Sequence, residues 1–203
     1  FSYYLVAGKR IEILYEILGR GTAILAGKKK GDVLKVMGPL GQPLTQSLKT
    51  KKKRVLIGGG VGVPPLVFLA EKTSVDFFLI GTKSKDEVLP KKELALAKKA
   101  KVLYSTNDGS YGTKGYVTVL LQELLRKERP ENLFLQTSGP TAMMQAVFDI
   151  ARKYRIEGEA SIDKPMACGV GACLGCMVKT QKGWVPSCIE GPVFRFDEIV
   201  DSL

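Results

Sequence analysis

Val55-Leu56-Ile57-Gly58-Gly59-Gly60-Val61-Gly62-Val63-Pro64-Pro65 decides the fold. A short apolar run ends in closely spaced glycines, and two prolines follow where the first turn of a helix tolerates them. The stretch reads as buried strand, tight turn and helix start. Working outward, apolar runs recur at Phe77-Phe78-Leu79-Ile80, Val102-Leu103-Tyr104 and Leu133-Phe134-Leu135. Between them lie helix candidates near Pro65 to Lys72, Asp86 to Ala97, Tyr116 to Lys127 and Pro140 to Tyr154. Strand and helix alternating at this spacing predict a doubly wound parallel sheet over residues 49–156, preceded by a charged break at Lys49 to Lys53.

Upstream, residues 1–48 have a different texture. Short strand-like pieces from Tyr3 to Val36 are separated by turns at Gly8-Lys9, Gly19-Arg20-Gly21 and Lys28 to Asp32, and Gly38-Pro39-Leu40-Gly41 closes the stretch. This spacing predicts antiparallel sheet, part of a β-barrel. Downstream, residues 157–203 are too few to bury a core of their own, and all four cysteines lie there, so a metal centre would hold that segment together. The expected class is α/β plus β in three parts.

Composition narrows the chemistry. The chain has 203 residues and no histidine, which excludes a Ser-His-Asp triad, a Cys-His protease, a His-ligated zinc and a Rieske-type cluster. No catalytic acid or base is assigned. Thirty-one Lys and Arg against 20 Asp and Glu give a formal charge of +11. The lysines fall in runs such as Lys28-Lys29-Lys30 with few interleaved aromatics, so they read as solvated surface rather than a nucleic-acid platform. No run approaches the ~18 apolar residues of a membrane span. The opening Phe1-Ser2-Tyr3-Tyr4 lacks the basic flank of a signal peptide, so the expected location is cytoplasmic, away from membranes.

The thiols are Cys168, Cys173, Cys176 and Cys188: a four-residue gap, a two-residue gap, then a distant fourth. That is the plant-type 2Fe-2S spacing. In Cys168-Gly169-Val170-Gly171-Ala172-Cys173 the small residues let backbone N–H groups approach sulfur. Structural zinc, two disulfides and unrelated buried thiols are the alternatives. Zinc sites repeat a short ligand gap that occurs here only once, and disulfides do not suit a reducing compartment.

In the glycine stretch, Gly59, Gly60 and Gly62 let the backbone approach a pyrophosphate at a helix N-terminus, although the spacing is not the strict G-x-G-x-x-G. A plain strand-to-helix turn is the alternative. A second strand end meets a helix at Thr137-Ser138-Gly139-Pro140-Thr141, and Gly139 and Pro140 join the candidate dinucleotide site. Met143 and Met144 read as core-facing helix residues.

Taken in order, these segments resemble the ferredoxin-NADP reductase superfamily and, within it, the electron-transfer subunits of type B dihydroorotate dehydrogenases. The resemblance covers nearly the whole chain. It rests on Gly19-Arg20-Gly21-Thr22, Gly38 to Gly41, Gly58 to Pro65, Asn107-Asp108-Gly109-Ser110-Tyr111-Gly112-Thr113-Lys114-Gly115, Ser138-Gly139-Pro140, the cysteine loop and Glu190-Gly191-Pro192-Val193-Phe194. It implies an FAD-binding barrel in 1–48, an NAD-binding α/β domain in 49–156 and a 2Fe-2S domain in 157–203. It also implies that Leu14, Tyr15, Glu16, Gly21 and Thr22 line FAD, as does Ser2, the remnant of an Arg-Pro-aromatic-Ser motif whose absent beginning suggests a chain truncated at its N-terminus. Glu16 stands where the family often has a basic residue, and Ser138 where it often has cysteine.

By the same resemblance, hydride passes between NAD and FAD, single electrons pass between FAD and the cluster, and the partner is an FMN-containing dihydroorotate dehydrogenase catalytic subunit in a heterotetramer of pyrimidine biosynthesis. Gly169, Val170, Leu174 and Gly175 would form its docking rim. Asp108 is the candidate for preferring NAD over NADP, through a ribose hydroxyl; an Asn-Asp-Gly turn that only bonds its own backbone is the alternative. Two rival readings stand beside this one. A reductase subunit of a sulfide dehydrogenase or transhydrogenase-like complex would tend to carry Asp in place of Cys168. A zinc-stabilised binding protein would carry no flavin.

Overall fold

The computed structural model describes all residues except 49, 90–93, 95–99 and 201–203. The chain opens with a hairpin of β1 (Leu5–Ala7) and β2 (Arg10–Glu12) turning at Gly8-Lys9, as the sequence predicts. Gly19-Arg20-Gly21 is not a turn between strands. It starts the helix α1 (Arg20–Ala26), because Ala23, Leu25 and Ala26 favour a helix and the Thr22 hydroxyl receives the Leu18 and Gly19 N–H groups at its start. Among the described residues of 1–48 the hairpin is the sole two-stranded ladder, so the antiparallel part is smaller than the turn spacing predicts.

The α/β part follows the expected alternation. Strands β3 (Lys53–Gly59), β4 (Phe77–Thr82), β5 (Lys101–Thr106) and β6 (Thr113–Lys114) run parallel in that spatial order. On the other side of β3 lie β7 (Leu133–Ser138) and β8 (Glu157–Ser161), also parallel. Helices α2 (Val63–Lys72), α3 (Val117–Leu125) and α4 (Thr141–Tyr154) connect them. Where a helix was expected over Asp86 to Ala97, Lys85–Glu87 forms one 3-10 turn, and most of the remainder falls outside the described residues.

Alternate strand residues face opposite ways. Leu56, Phe78 and Ile80 pack with Leu66 and Val67 of α2, whereas Val55, Ile57, Leu79, Leu133 and Leu135 pack with Leu120 and Leu121 of α3 and Val147 and Phe148 of α4. Each such side chain contributes about 1.5–3 kcal/mol on burial. The C-terminal segment is joined to this sheet: β11 (Val193–Arg195) lies antiparallel to β8, while β9 (Met177–Thr180) and β10 (Gly183–Pro186) form a separate hairpin. Among the described residues no helix is long and apolar enough to cross a membrane.

Candidate functional site

The strand order places a switch point between β3 and β7: from β3 the chain steps outward through β4 and β5, and from β7 outward through β8. Ligands of open parallel sheets bind in the crevice at such a point, outside the carboxyl ends of the strands. Both sequence-predicted loops meet there. A β-carbon built at Gly62 would press on the backbone of Ser138 and Gly139, and one at Gly59 would reach Met143 Sδ and lie 3.5 Å from Pro140 Cδ. Only glycines allow the two loops this approach. Gly60, at φ +52, and Gly139, at φ +152, adopt backbone conformations that side chains disfavour.

Asp108 follows β5 on the same carboxyl edge. Its Oδ1 accepts from the Ser110 hydroxyl at 2.6 Å and the Ser110 N–H at 2.9 Å, and these bonds hold its carboxyl below the usual range. The residue is exposed, so the turn role is occupied while the carboxyl stands at the surface. Both sequence readings of Asp108 are compatible with this geometry.

The residues assigned to flavin gather only in part. The rings of Phe1 and Tyr15 meet edge-on at 5.8 Å, so the start of the chain touches the stretch that holds Leu14, Tyr15 and Glu16. Gly21 and Thr22 lie in α1, and the Thr22 hydroxyl is engaged by its own helix start.

The four cysteines lie on adjoining loops, and all are free of disulfides. Backbone N–H groups converge on them. Val170 and Cys173 point at Cys168 Sγ (3.5 and 3.4 Å), Gly171 at Cys188 Sγ (3.2 Å), and Cys188 at Cys176 Sγ (3.4 Å). The loop can do this because Gly169, Gly171 and Leu174 all have positive φ. The Val170 and Cys173 N–H groups pull the Cys168 thiol down to about 6, favouring the thiolate that binds iron, whereas burial pushes Cys188 up.

These residues fit an iron-sulfur cluster. Among the described residues no three Cys, Asp or Glu side chains converge as they would around one metal ion. The Cys173 N–H points at Cys168 Sγ and the Cys188 N–H at Cys176 Sγ, so the backbone links the cysteines two by two, and four thiols are the ligand number a two-iron cluster requires. Ser187, fully buried next to Cys188, keeps an Oγ without a partner among the described residues. The array runs from the interior to the surface: Cys176 and Cys188 are buried, Cys173 is exposed, and Val170 and Leu174 stand 56 and 60 % exposed around it.

Sequence reasoning missed a buried polar knot. Glu159 of β8 accepts from the Thr45 N–H (2.6 Å), the Thr45 hydroxyl (2.7 Å) and Gln136 Nε2 (2.6 Å). Arg54 of β3 donates to Gln136 Oε1 and to the carbonyls of Thr45 (2.7 Å) and Gln46 (2.6 Å). Burial draws the Arg54 guanidinium below its usual range, opposed by Glu159 and Asp76. The knot fastens Thr45 and Gln46 to the sheet.

Residues 163–200 match the model of the iron-sulfur cluster binding domain of dihydroorotate dehydrogenase B. The chain is 36 % identical over 199 residues to the dihydroorotate dehydrogenase B (NAD(+)) electron transfer subunit of Fusobacterium nucleatum, covering 93 % of this chain and 74 % of that one. The Clostridium acetobutylicum subunit of the same name is 36 % identical over 203 residues, covering 98 and 78 %. Among solved structures, an NADH-dependent reduced ferredoxin-NADP oxidoreductase superposes with a TM-score of 0.78 at 29 % identity, over 92 % of this chain and 67 % of that one. A flavohemoglobin from Malassezia yamatoensis, with bound FAD and heme, superposes at 0.56 and 25 % identity over 71 and 40 %.

Proposed function

Because the chain belongs to the family of dihydroorotate dehydrogenase B electron transfer subunits, we propose that it carries electrons between a dihydroorotate-oxidising partner and NAD in pyrimidine biosynthesis. The observation that carries this is the paired, N–H-lined cysteine array opening onto an exposed apolar rim. When bound, nicotinamide and FAD supply two-electron hydride exchange, and the cluster supplies one-electron exchange.

The chain's own residues arrange these groups. Cys168, Cys173, Cys176 and Cys188 would hold the 2Fe-2S cluster, and the N–H groups of Val170, Gly171, Cys173 and Cys188 stabilise sulfur charge. Gly59, Gly60, Gly62, Gly139 and Pro140 would admit the dinucleotide's pyrophosphate, with Asp108 toward the adenosine ribose. Ser2, Leu14, Tyr15, Glu16, Gly21 and Thr22 would line FAD. Residues 1–48, 49–156 and 157–203 then divide the work into flavin, nicotinamide and cluster segments.

An electron transfer subunit implies a catalytic partner. We take it to be an FMN-containing dihydroorotate dehydrogenase subunit in a cytoplasmic heterotetramer, docked on Gly169, Val170, Leu174 and Gly175. The apolar exposure of Val170 and Leu174 beside Cys173 supports this position, because an electron must leave over a short distance. An anaerobic visible spectrum of the complex purified from its source tests the function. Flavin and iron-sulfur bands should bleach with dihydroorotate and recover with NAD. Bands that bleach with NADH but ignore dihydroorotate would refute the partner while keeping the reductase. For the surface, Leu174→Glu should release the partner and retain iron; a persistent complex would place docking elsewhere.

A further inference from the structure

One contact joins the two segments between which electrons must pass. The end of the flavin segment, Met37 to Gln42, lies directly on the cysteine loops. A β-carbon at Gly169, the residue after Cys168, would meet both Leu40 Cδ1 and Met37 Cε at 2.9 Å. On the other flank, just past Cys188, the Gln42 N–H donates to the Gly191 carbonyl and Gln42 Nε2 donates to the Ile189 carbonyl at 3.3 Å. Gln42 also forms a parallel bridge with Pro192. A β-carbon at Gly41, itself at φ +69, would lie 2.2 Å from the Gly191 oxygen and 2.8 Å from Pro192 Cδ. The strap thus grips the residues that immediately follow the first and the last cysteine.

We propose that Met37–Gln42 is a positioning element that sets the cluster loop at a fixed separation from the flavin segment and thereby governs the rate of electron passage between them. This rests on the function proposed above. Each passage removes one electron from reduced flavin and adds it to the oxidised cluster, with no bond to protein made or broken. Nothing in the strap contributes a ligand or a proton. Its effect is therefore on distance and orientation alone, which separates it from the cysteines.

The magnitude follows from Gly41. Ordinary contact begins at 3.4 Å, so Gly41→Ala requires the strap and the Gly191 turn to part by about 1.2 Å. Electron passage makes no bond and its rate falls exponentially with separation, so a parting of this size slows it several-fold.

The test uses the intact holo complex in stopped flow with NADH, following the flavin and iron-sulfur bands separately. In Gly41→Ala, flavin reduction should keep its wild-type rate while cluster reduction slows several-fold, with iron content and the reduced-cluster EPR signal unchanged. Leu40→Ala removes the contact with Gly169 without adding bulk, and should slow cluster reduction in the same direction. If Gly41→Ala loses its iron, Leu40→Ala decides. Wild-type cluster reduction in an iron-replete Leu40→Ala complex overturns the proposal, as does an unchanged rate in iron-replete Gly41→Ala. Failure of NADH to bleach either band in the wild-type complex would instead overturn the proposed function and is recognisable before any variant is made.

Discussion

Gly62→Ala tests whether the crevice between the Gly62 and Gly139 loops binds a dinucleotide or is ordinary packing. Gly62 has φ −83, so alanine fits its backbone without strain. The added carbon would lie 2.3 Å from Gly139 N and from Ser138 C and O, where ordinary contact begins at 3.4 Å. The two loops must therefore separate by about 1.1 Å. Overpacking of this kind costs about 1–3 kcal/mol of stability. For a chain of this size each kcal/mol lowers the melting temperature by roughly 2–4 °C. The same displacement would draw N–H donors away from a bound pyrophosphate, and one hydrogen bond to a charged group is worth about 1.5–3 kcal/mol, roughly tenfold or more in affinity. Gly158→Ala is the matched control, because its carbon would lie 2.4 Å from the Leu135 carbonyl and Phe196, at the start of β8 and away from the carboxyl edge. Both variants should melt earlier, but only Gly62→Ala should weaken NADH binding, measured by titrating flavin bleaching in the holo complex. NADH affinity within twofold of wild type in Gly62→Ala, with the melting temperature lowered, would show that the loop seam is packing and not a binding site.

Asp108→Ser should lower the preference for NADH over NADPH about tenfold, because an exposed carboxylate that repels a 2′-phosphate is removed; an unchanged ratio of the two affinities assigns Asp108 to its turn alone. Burial, reinforced by Tyr111, pushes the Tyr104 phenol up to about 12. Its folded value is raised, so its contribution to stability is intact below pH 10 and is lost as pH rises from 10 toward 12. An absorbance titration should show one tyrosine ionising after the rest, and a late step that persists in Tyr104→Phe would refute the assignment. The same variant should not destabilise the fold, since the buried Tyr104 hydroxyl has no partner among the described residues. Glu159→Gln leaves Arg54 without its carboxylate and presents a new donor to Thr45 or Gln136, which should cost about 3 kcal/mol by urea unfolding; a loss below about 0.5 kcal/mol would mean that water or Asp76 replaces it.

The cysteine array and the glycine loop are legible in the sequence because their chemistry lies in local spacing. Four residues between Cys168 and Cys173 suffice to turn N–H groups toward sulfur, and a strand ending in Gly58-Gly59-Gly60 must turn into whatever helix follows. The short helix Arg20–Ala26 was less legible, because Gly19 and Gly21 signal a turn as strongly as Ala23 and Ala26 signal a helix, and the Thr22 hydroxyl resolves the balance only when it folds back. Long-range contacts leave no local trace. Gln42 reaches a carbonyl 147 residues away, and Arg54, in a strand that reads as apolar, meets Gln136 82 positions on. An arginine at the edge of an apolar run ordinarily signals a strand end in solvent, yet Arg54 is only 4 % exposed.

Two seams of opposite physics tie the stretch from Met37 to Gln46 to the rest of the chain. At the strap the seam depends on small residues: Gly41 brings backbone against the Gly191 carbonyl, and Gly169 leaves room for the Leu40 and Met37 side chains. Between Thr45 and Glu159 it is made by charge and hydrogen bonds in the interior. An apolar seam of equal volume would cost less desolvation and could be equally stable, so stability alone does not account for a buried Arg54 and Glu159. Hydrogen bonds add direction. The carboxylate accepts from both the N–H and the hydroxyl of Thr45, and Arg54 reaches two successive carbonyls, so sliding the linker by one residue would break every bond at once. Thr45 is three residues from Gln42, and β8, which carries Glu159, leads into the cysteine segment. The knot therefore fixes the register from which the strap is hung, and an electron path that depends on separation has its distance set from both ends.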